Sequence, residues 1–318
     1  MYLENPVIVE VTVSFNKDIV VKDYTAKLIK SLLISGNPKL EELFSKSVSI
    51  IPKPIHITPL YAIEKTDRIA KLKAVYTKFV PKGSTAKPPE LIMLEPVNIE
   101  GGREYSFLIG ISIHSLEEVL RGLTGVERFV FGNRTVEVDS LSYELHYIDV
   151  EKESESIKRG LEERNTTVKV TFMSPTVLVE PLTIVKKRKK FFLPTPSAVF
   201  FMPFVMVLFD VGKLRKSLLV KAMHCLESVL STPYTALKTV DLVWYVYDND
   251  VLPALIGYIK YFVDHSALST VQAIMASKHN FDFLDILSKA IIVANVYGVG
   301  SGRATGFGHI TTEVKNNF

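Results

Sequence analysis

The sequence predicts an α+β protein built from two successive βαββ-type halves, and three observations carry that prediction. Runs of β-branched residues such as "PVIVEVTVSF" alternate with amphipathic segments of helical period. The alternation starts afresh at "TTVKVTFMSPTVLV", near residue 166. Between the two lies "DVEKESESIKRGLEERN", from Asp149 to Asn165, charged almost throughout and nearly devoid of apolar residues. The expected division is a first domain over residues 1–150, a charged linker over 151–165 and a second domain over 166–318.

In the first half, "VKDYTAKLIKSLLISG" has helical period and stops at Gly36 before Pro38. "KPIHITPLYA" and "RIAKLKAVYTKF" return to β character, and the Pro, Gly and Lys of "VPKGSTAKPPE" mark a loop. "YSFLIGISI" is the next strand, "SLEEVLRGL" a short helix, and "VERFVFGN" and "RTVEVDSLSYELHYI" close the half. In the second half the longest apolar run, Ala198 to Phe209, falls short of the roughly 20 residues that cross a bilayer and contains Pro203, so it is expected as a buried helix. Two strands, "YTALKTVDLVWYVYD" and "VLPALIGYIKYFV", precede the helix "FDFLDILSKAIIVANVY", a glycine-rich loop and a last strand, "GHITTEV".

Composition bounds the function. With 318 residues, 47% hydrophobic and 23% charged, the chain has ample core for two globular domains, and a net charge of +4 permits a polyanionic partner without requiring one. The single Cys225 allows no internal disulfide and no cysteine-based zinc cluster. His114, His146, His224, His265, His279 and His309 are scattered without metal-ligand spacing, so neither metal nor cofactor is expected. The start of the chain lacks the features of a signal peptide, which together with the cysteine usage predicts a cytoplasmic protein in a reducing compartment, with no membrane association. Gln272 is the only glutamine, a scarcity of thermolabile amides that points to a thermophile.

The densest motif is "YGVGSGRATGFGHI", with glycines at 298, 300, 302, 306 and 308. Nucleotide-cradling glycine loops run from a strand into a helix N-terminus, and here the order is reversed, with no Gly-Lys-Ser/Thr ending. Glycine, apolar, glycine, five residues, then glycine, apolar, glycine, placed between a last helix and a last strand, resembles the signature of the CRISPR-associated endoribonucleases that cut precursor CRISPR RNA within its repeats. "KVTFMSPTVL", "GYIKYFV" and "SGNPKL" are similar to further features of that family, which belongs to the repeat-associated RAMP superfamily. The resemblance implies tandem ferredoxin-like (RRM-like) domains, which agrees with the two halves read from the chain. It also implies that the glycine loop borders an RNA-binding cleft, with amides of Gly298, Gly300, Gly306 and Gly308 reaching phosphate oxygens and Arg303 adding a bidentate contact.

Cleavage of RNA without a metal needs the ribose 2′-OH deprotonated, the phosphorane charge stabilised and the 5′-oxygen protonated. The family's usual set is a tyrosine on the first helix, a histidine just after it and a lysine on the approach to the next strand. With "SGNPKL" in register, the tyrosine position falls at Lys30, the lysine position at Lys53 and the histidine position near Ser45, where no histidine stands. Members without that histidine rely on lysines, so the catalytic residues implied here are Lys27, Lys30 and Lys53. Lys27 and Lys30 share the helix face opposite Leu28, Ile29, Leu32 and Leu33, and clustering of three lysines is expected to lower one pKa enough for a base. His56 and Lys46 are outside candidates for the same chemistry.

Lys186, Lys187, Arg188, Lys189 and Lys190 form an unbroken cationic run before Phe191 and Phe192, suited to a hairpin tip that grips RNA phosphates. The resemblance thus implies a metal-independent endoribonuclease acting on CRISPR repeat RNA, with precursor and mature CRISPR RNA as partners; a non-cleaving RAMP subunit that binds RNA within a CRISPR interference complex stays open beside it. Related proteins dimerise, and a homodimer is a further expectation.

Overall fold

The computed structural model describes residues 1–45, 51–66, 69–79, 94–181, 189–232, 238–248 and 250–316, with the backbone alone at 64–66, 69–71, 78, 79 and 94. The first half contains β1 (Pro6–Phe15), β2 (Ile19–Val21), α1 (Ala26–Gly36), α2 (Leu40–Phe44), β3 (Ile55–Ile57), β4 (Tyr61–Thr66), β5 (Ile69–Ala74), β6 (Lys78–Phe79), β7 (Leu94–Glu95), β8 (Val97–Ile99), β9 (Tyr105–Ser112), α3 (Leu116–Leu123), β10 (Arg128–Phe131) and β11 (Arg134–Tyr147). There follow α4 (Val150–Glu162), β12 (Thr166–Thr176), β13 (Leu178–Val179), β14 (Lys190–Phe191), α5 (Pro196–Asp210), α6 (Lys216–Val229), β15 (Leu230–Ser231), β16 (Val240–Tyr247), β17 (Asp250–Val263), α7 (His265–His279), α8 (Phe283–Tyr297) and β18 (Ile310–Asn316).

Two antiparallel sheets organise these elements. The first runs β10-β11-β1-β9-β4-β5, with β3 also on β9. Its main strands lie in the order fourth, first, third, second, with α1 and α3 as crossovers, which is the ferredoxin-like arrangement. The second, β18-β12-β17-β16, repeats that order, with α5 and α8 among its helices. The expected α+β class with tandem ferredoxin-like halves is the one observed.

Sequence pattern accounts for the layers. In β1 the residues Val7, Val9, Val11 and Val13 are buried while Ile8, Glu10 and Thr12 between them are half-buried, the alternation that one covered sheet face imposes. α1 buries Leu28, Ile29, Leu32 and Leu33, the stripe its spacing predicts. α5 is buried almost all round, as its continuous apolar sequence requires, and tolerates Pro203 in its interior.

The segment expected to be a linker is folded. Asp149 caps α4 by accepting from the amide of Lys152, and Val150, Ser154 and Leu161 turn inward. Ser154 Oγ lies 2.6 Å from Ser288 Oγ, and Lys158 pairs with Asp285 at 2.9 Å, both on α8. An N-cap and one sparse inward stripe suffice for a helix that leans on a neighbour.

The halves are interlocked. The short strands β6 and β7 continue the second sheet, β6 pairing with β16 through Phe79↔Trp244 and Lys78↔Tyr245. Gly110 of β9 admits α8 closely: a Cβ there would stand 1.8 Å from the carbonyl oxygen of Val296. Val177, Tyr245, Ala254 and Phe307, from the second half, sit in the apolar core of the first.

Candidate nucleic-acid interface

The glycine loop leaves the end of α8 and returns into β18. All five glycines have positive φ, from 68° at Gly300 to 97° at Gly306, a region in which an L side chain is strained. All five also face the protein's own atoms: a Cβ at Gly302 would lie 2.7 Å from the ring of Phe307, and the other four are packed deeper. A Cβ at Gly308 would lie 1.9 Å from the oxygen of Val299, at Gly300 2.4 Å from that of Val177, at Gly306 2.3 Å from Cβ of Ala26, and at Gly298 2.9 Å from the ring of His56. These four are buried, and only Gly302 and its neighbour Ser301 are exposed. Three of their amides are taken: Gly298 donates to Ala294 O, Gly306 to Arg303 O and Gly308 to Pro175 O. The expectation that Gly298, Gly300, Gly306 and Gly308 offer amides to RNA is therefore corrected. They let protein backbone lie against protein backbone, and the surface they build is the Ser301–Gly302 corner.

Arg303 is corrected in the same way. Its side chain is 7% exposed and points inward, donating through Nη1 to the carbonyl of Tyr297 at 2.9 Å beside Sδ of Met206. Burial pulls its pKa down to about 10, against the opposing pull of Tyr2 and Tyr297. It organises the loop from beneath, and no phosphate can reach it.

The loop tip is held by aromatic rings from both halves. Phe307 stacks on Tyr24 at 4.3 Å and touches Tyr245 at 4.7 Å and Tyr247 at 5.5 Å, while the hydroxyl of Tyr24 donates to Gly306 O at 3.0 Å. Below lies His56, 1% exposed, on the strand that pairs with β9. Its Nδ1 donates to Arg303 O at 2.9 Å, which fixes the tautomer with Nε2 unprotonated. Burial first, and then the neighbouring His309 and Arg303, hold the pKa of His56 well below the usual histidine range despite the bond to that carbonyl. A neutral, enclosed imidazole is a structural pillar, so the expectation of a catalytic His56 is corrected too.

The three lysines divide into two places. Lys27 pairs with Asp23 at 2.5 Å and with Asp248 of the β16–β17 turn, its ammonium 4.4 Å from the ring of Tyr247. Burial opposes its charge, but the two carboxylates outweigh burial and the pKa is raised. The expected lowering does not occur at Lys27, which is held as a cation and cannot be the base. Lys30 extends over the ring of Phe44, 5.6 Å from its centroid, and Lys53 donates to Glu42 O and, at 2.8 Å, to Ser45 Oγ. Both thus border the C-terminal end of α2, where unpaired carbonyls favour cations. Ser45, near which the resemblance expects the family's histidine, is the residue that Lys53 contacts.

Of the cationic run, Lys189 and Lys190 are described and both are exposed; Lys186, Lys187 and Arg188, like Lys46, lie outside the described residues. Val179 pairs with Lys190 and Leu178 with Phe191, and Glu180 N donates to Lys189 O at 3.0 Å. The two strands bracketing the run are paired as a hairpin base.

Sequence reasoning overlooked Tyr24, Phe307, His309 and Asp248. Phe307 and His309 stand inside the glycine motif, and that position was the available signal; nothing local announces that Asp248, 221 residues from Lys27, reaches it.

No family model matches the chain, and no curated protein matches its sequence. Solved structures do. A Cas6 product complex is 12% identical with a TM-score of 0.60 over 98% of this chain and 100% of that one. Thermus thermophilus Cas6 is 12% identical with a TM-score of 0.53 over 97% and 98%. The product of a Cas6-related gene from Pyrococcus furiosus is 9% identical with a TM-score of 0.51 over 97% and 98%. The chain has the Cas6 fold over nearly its whole length, in agreement with the resemblance carried by its glycine signature.

Proposed function

We propose that this protein is an endoribonuclease that cleaves precursor CRISPR RNA within its repeats, without a metal, by attack of a ribose 2′-oxygen on the adjoining phosphorus. The bond from 2′-oxygen to phosphorus forms, the bond from phosphorus to 5′-oxygen breaks, and the products are a 2′,3′-cyclic phosphate and a 5′-hydroxyl. The observation that carries the reading is that Lys30 reaches Phe44 and Lys53 reaches Ser45, adjacent residues at the end of α2. These two lysines share the work of the missing histidine: one, as the amine, takes the 2′-hydroxyl proton, and the other, as ammonium, stands beside the developing phosphorane charge and gives its proton to the leaving 5′-oxygen. Lys27, bound by two carboxylates, contributes by fixing α1 against the β16–β17 turn beside the glycine loop.

A second reading, an RNA-holding RAMP subunit that does not cut, is favoured by one specific observation: His56, the only histidine on the strand that follows, is enclosed and neutral. Incubation of purified protein with end-labelled repeat RNA in EDTA, beside the same RNA carrying a single 2′-deoxy at the cut site, separates the two. Cleavage in EDTA that the 2′-deoxy blocks is the expected result. Tight binding with no cleavage of either RNA selects the second reading.

A further inference from the structure

Between Asp210 and Glu227 the chain carries Lys213, Arg215, Lys216 and Lys221 and no carboxylate. Among the described residues, none of these four cations takes part in an ion pair. Three of them, Lys213, Arg215 and Lys221, line with Ser217 and His279 a concavity of about 260 Å³ at the turn between α5 and α6. Like charges gathered in a recess repel one another, and low-dielectric walls focus their field into it, so an anion entering the recess relieves the repulsion.

The recess is also partly organised. Lys213 Nζ donates to the carbonyl of Asn280, which ends α7, and Lys221 Nζ lies 3.2 Å from His279 Nε2. These bonds leave further ammonium protons free, and the first amides of α6, which has no side-chain cap, add partial positive charge. The volume falls below the ~300–1,000 Å³ of small-molecule pockets, and the cationic lining is unlike their apolar walls.

The position of the recess relates it to the lysines above. Asp210, the last residue of α5, accepts from the amides of Tyr2 at 2.5 Å and Leu3 at 2.8 Å, and the hydroxyl of Tyr2 donates to the carbonyl of Pro52, next to Lys53. Tyr2, through its main-chain amide on one side and its hydroxyl on the other, thus bridges the helix end that opens into Lys213 and Arg215 and the segment that carries Lys53.

From this arrangement we infer that the α5–α6 recess binds phosphodiester groups of the RNA strand that continues beyond the Lys30 and Lys53 site. The inference rests on the reading that the chain binds repeat RNA, and adds to it a second anchoring point that takes backbone and not bases.

The test measures binding of labelled repeat RNA to the full chain across a salt series, for wild type, for the triple variant Lys213→Ala/Arg215→Ala/Lys221→Ala, and for a control that removes Lys39, Arg121 and Arg128 elsewhere on the surface. The triple variant is expected to bind roughly tenfold more weakly, with a slope of log affinity against log salt shallower by about 2, at about 0.7 per lost contact to single-stranded phosphate. The control variant is expected to keep the wild-type slope, and RNA shortened on one side of the cut site to bind wild type as weakly as the full RNA binds the triple variant. Equal affinity and slope for wild type and triple variant, both folded by thermal melt, overturns the inference. So does a recess whose only response is a melting shift with inorganic phosphate that the triple variant loses. Failure of the wild type to bind any RNA is a different outcome and overturns the function itself.

Discussion

His56 donates from Nδ1 to the main-chain oxygen of Arg303 at 2.9 Å while its ring lies against that of His309, with centroids 5.5 Å apart and planes 18° from parallel. One strand of the first half is thereby locked under the glycine loop of the second by two imidazoles that the fold keeps neutral. Neither His56 Nε2 nor His309 Nδ1 has a protein partner among the described residues, so no carboxylate stands ready to receive a proton on either ring.

That arrangement sets a pH dependence. Burial pulls His309 down to about 4, and His56 is lowered well below the usual range, whereas both rings in the unfolded chain bind protons below about 6.5. The unfolded state then holds more protons than the folded one between those values, so stability is complete above about pH 6.5 and falls as the pH drops towards 4. The His309 shift alone is worth on the order of 3 kcal/mol. Melting temperatures measured from pH 7.5 to 4.5 are expected to fall in that window, and His309→Gln to flatten the fall. An unchanged profile in the variant assigns the acid sensitivity to another group.

The loop's glycines differ from glycines that merely turn the chain. Gly308 at φ 77° and Gly102 at φ 73° have the same backbone strain, but a Cβ at Gly102 meets nothing within 4 Å and one at Gly308 meets a carbonyl oxygen at 1.9 Å. Gly102→Ala is expected to cost about 1 kcal/mol, the price of a left-handed L residue, and Gly308→Ala several times that, with displacement of the loop. Urea unfolding of the two variants gives the comparison, and similar losses would mean that the loop yields without cost.

Phe307 joins the halves through rings. It is 4% exposed and its contacts are tyrosines that precede α1 or lie on β16. Phe307→Ala is expected to cost about 3–5 kcal/mol, as for truncation of other enclosed aromatics. Hydrogen exchange is expected to show the lost protection on the loop and at the start of α1 together. Exchange confined to the loop would mean that the rings fill space without coupling the halves.

How far all this was legible depends on the range of the interaction concerned. The inward faces of β1 and α1 follow from local periodicity, and the two ferredoxin-like halves from the repeat of strand and helix signals. α4 was missed as a helix because its inward stripe is only Val150, Ser154 and Leu161 in a sea of charge, and its partner Ser288 is 134 residues distant. The same limit explains the site. Lys53 and Ser45, the two positions that register singles out, are eight residues apart in the chain and bond directly. No local pattern reveals that Arg303 turns inward to Tyr297, or that Lys27 is neutralised by Asp248 from the far half. A glycine-rich motif announces close approach but not to what, and here the approaching backbone is the protein's own.

The sharpest consequence concerns which lysine matters. Lys27 is cationic and paired, whereas Lys30 and Lys53 reach the end of α2 without a carboxylate among their described contacts. Under the proposed activity, Lys53→Ala and Lys30→Ala are each expected to slow single-turnover cleavage of repeat RNA by about 10²-fold or more, the scale of proton transfer and charge stabilisation by one positioned group, with affinity for RNA little changed. Lys27→Ala is expected to act differently. It removes a pair with the partly exposed Asp23 and Asp248, worth about 1 kcal/mol or less, and lowers the rate only as far as α1 loosens. Asp248→Asn, which cannot touch chemistry at α2, is therefore expected to reproduce most of the Lys27→Ala effect, and the double variant to add little to either. A Lys27→Ala loss as large as that of Lys53→Ala, with Asp248→Asn fully active, would place Lys27 among the reacting groups and break the division drawn between the two ends of α1.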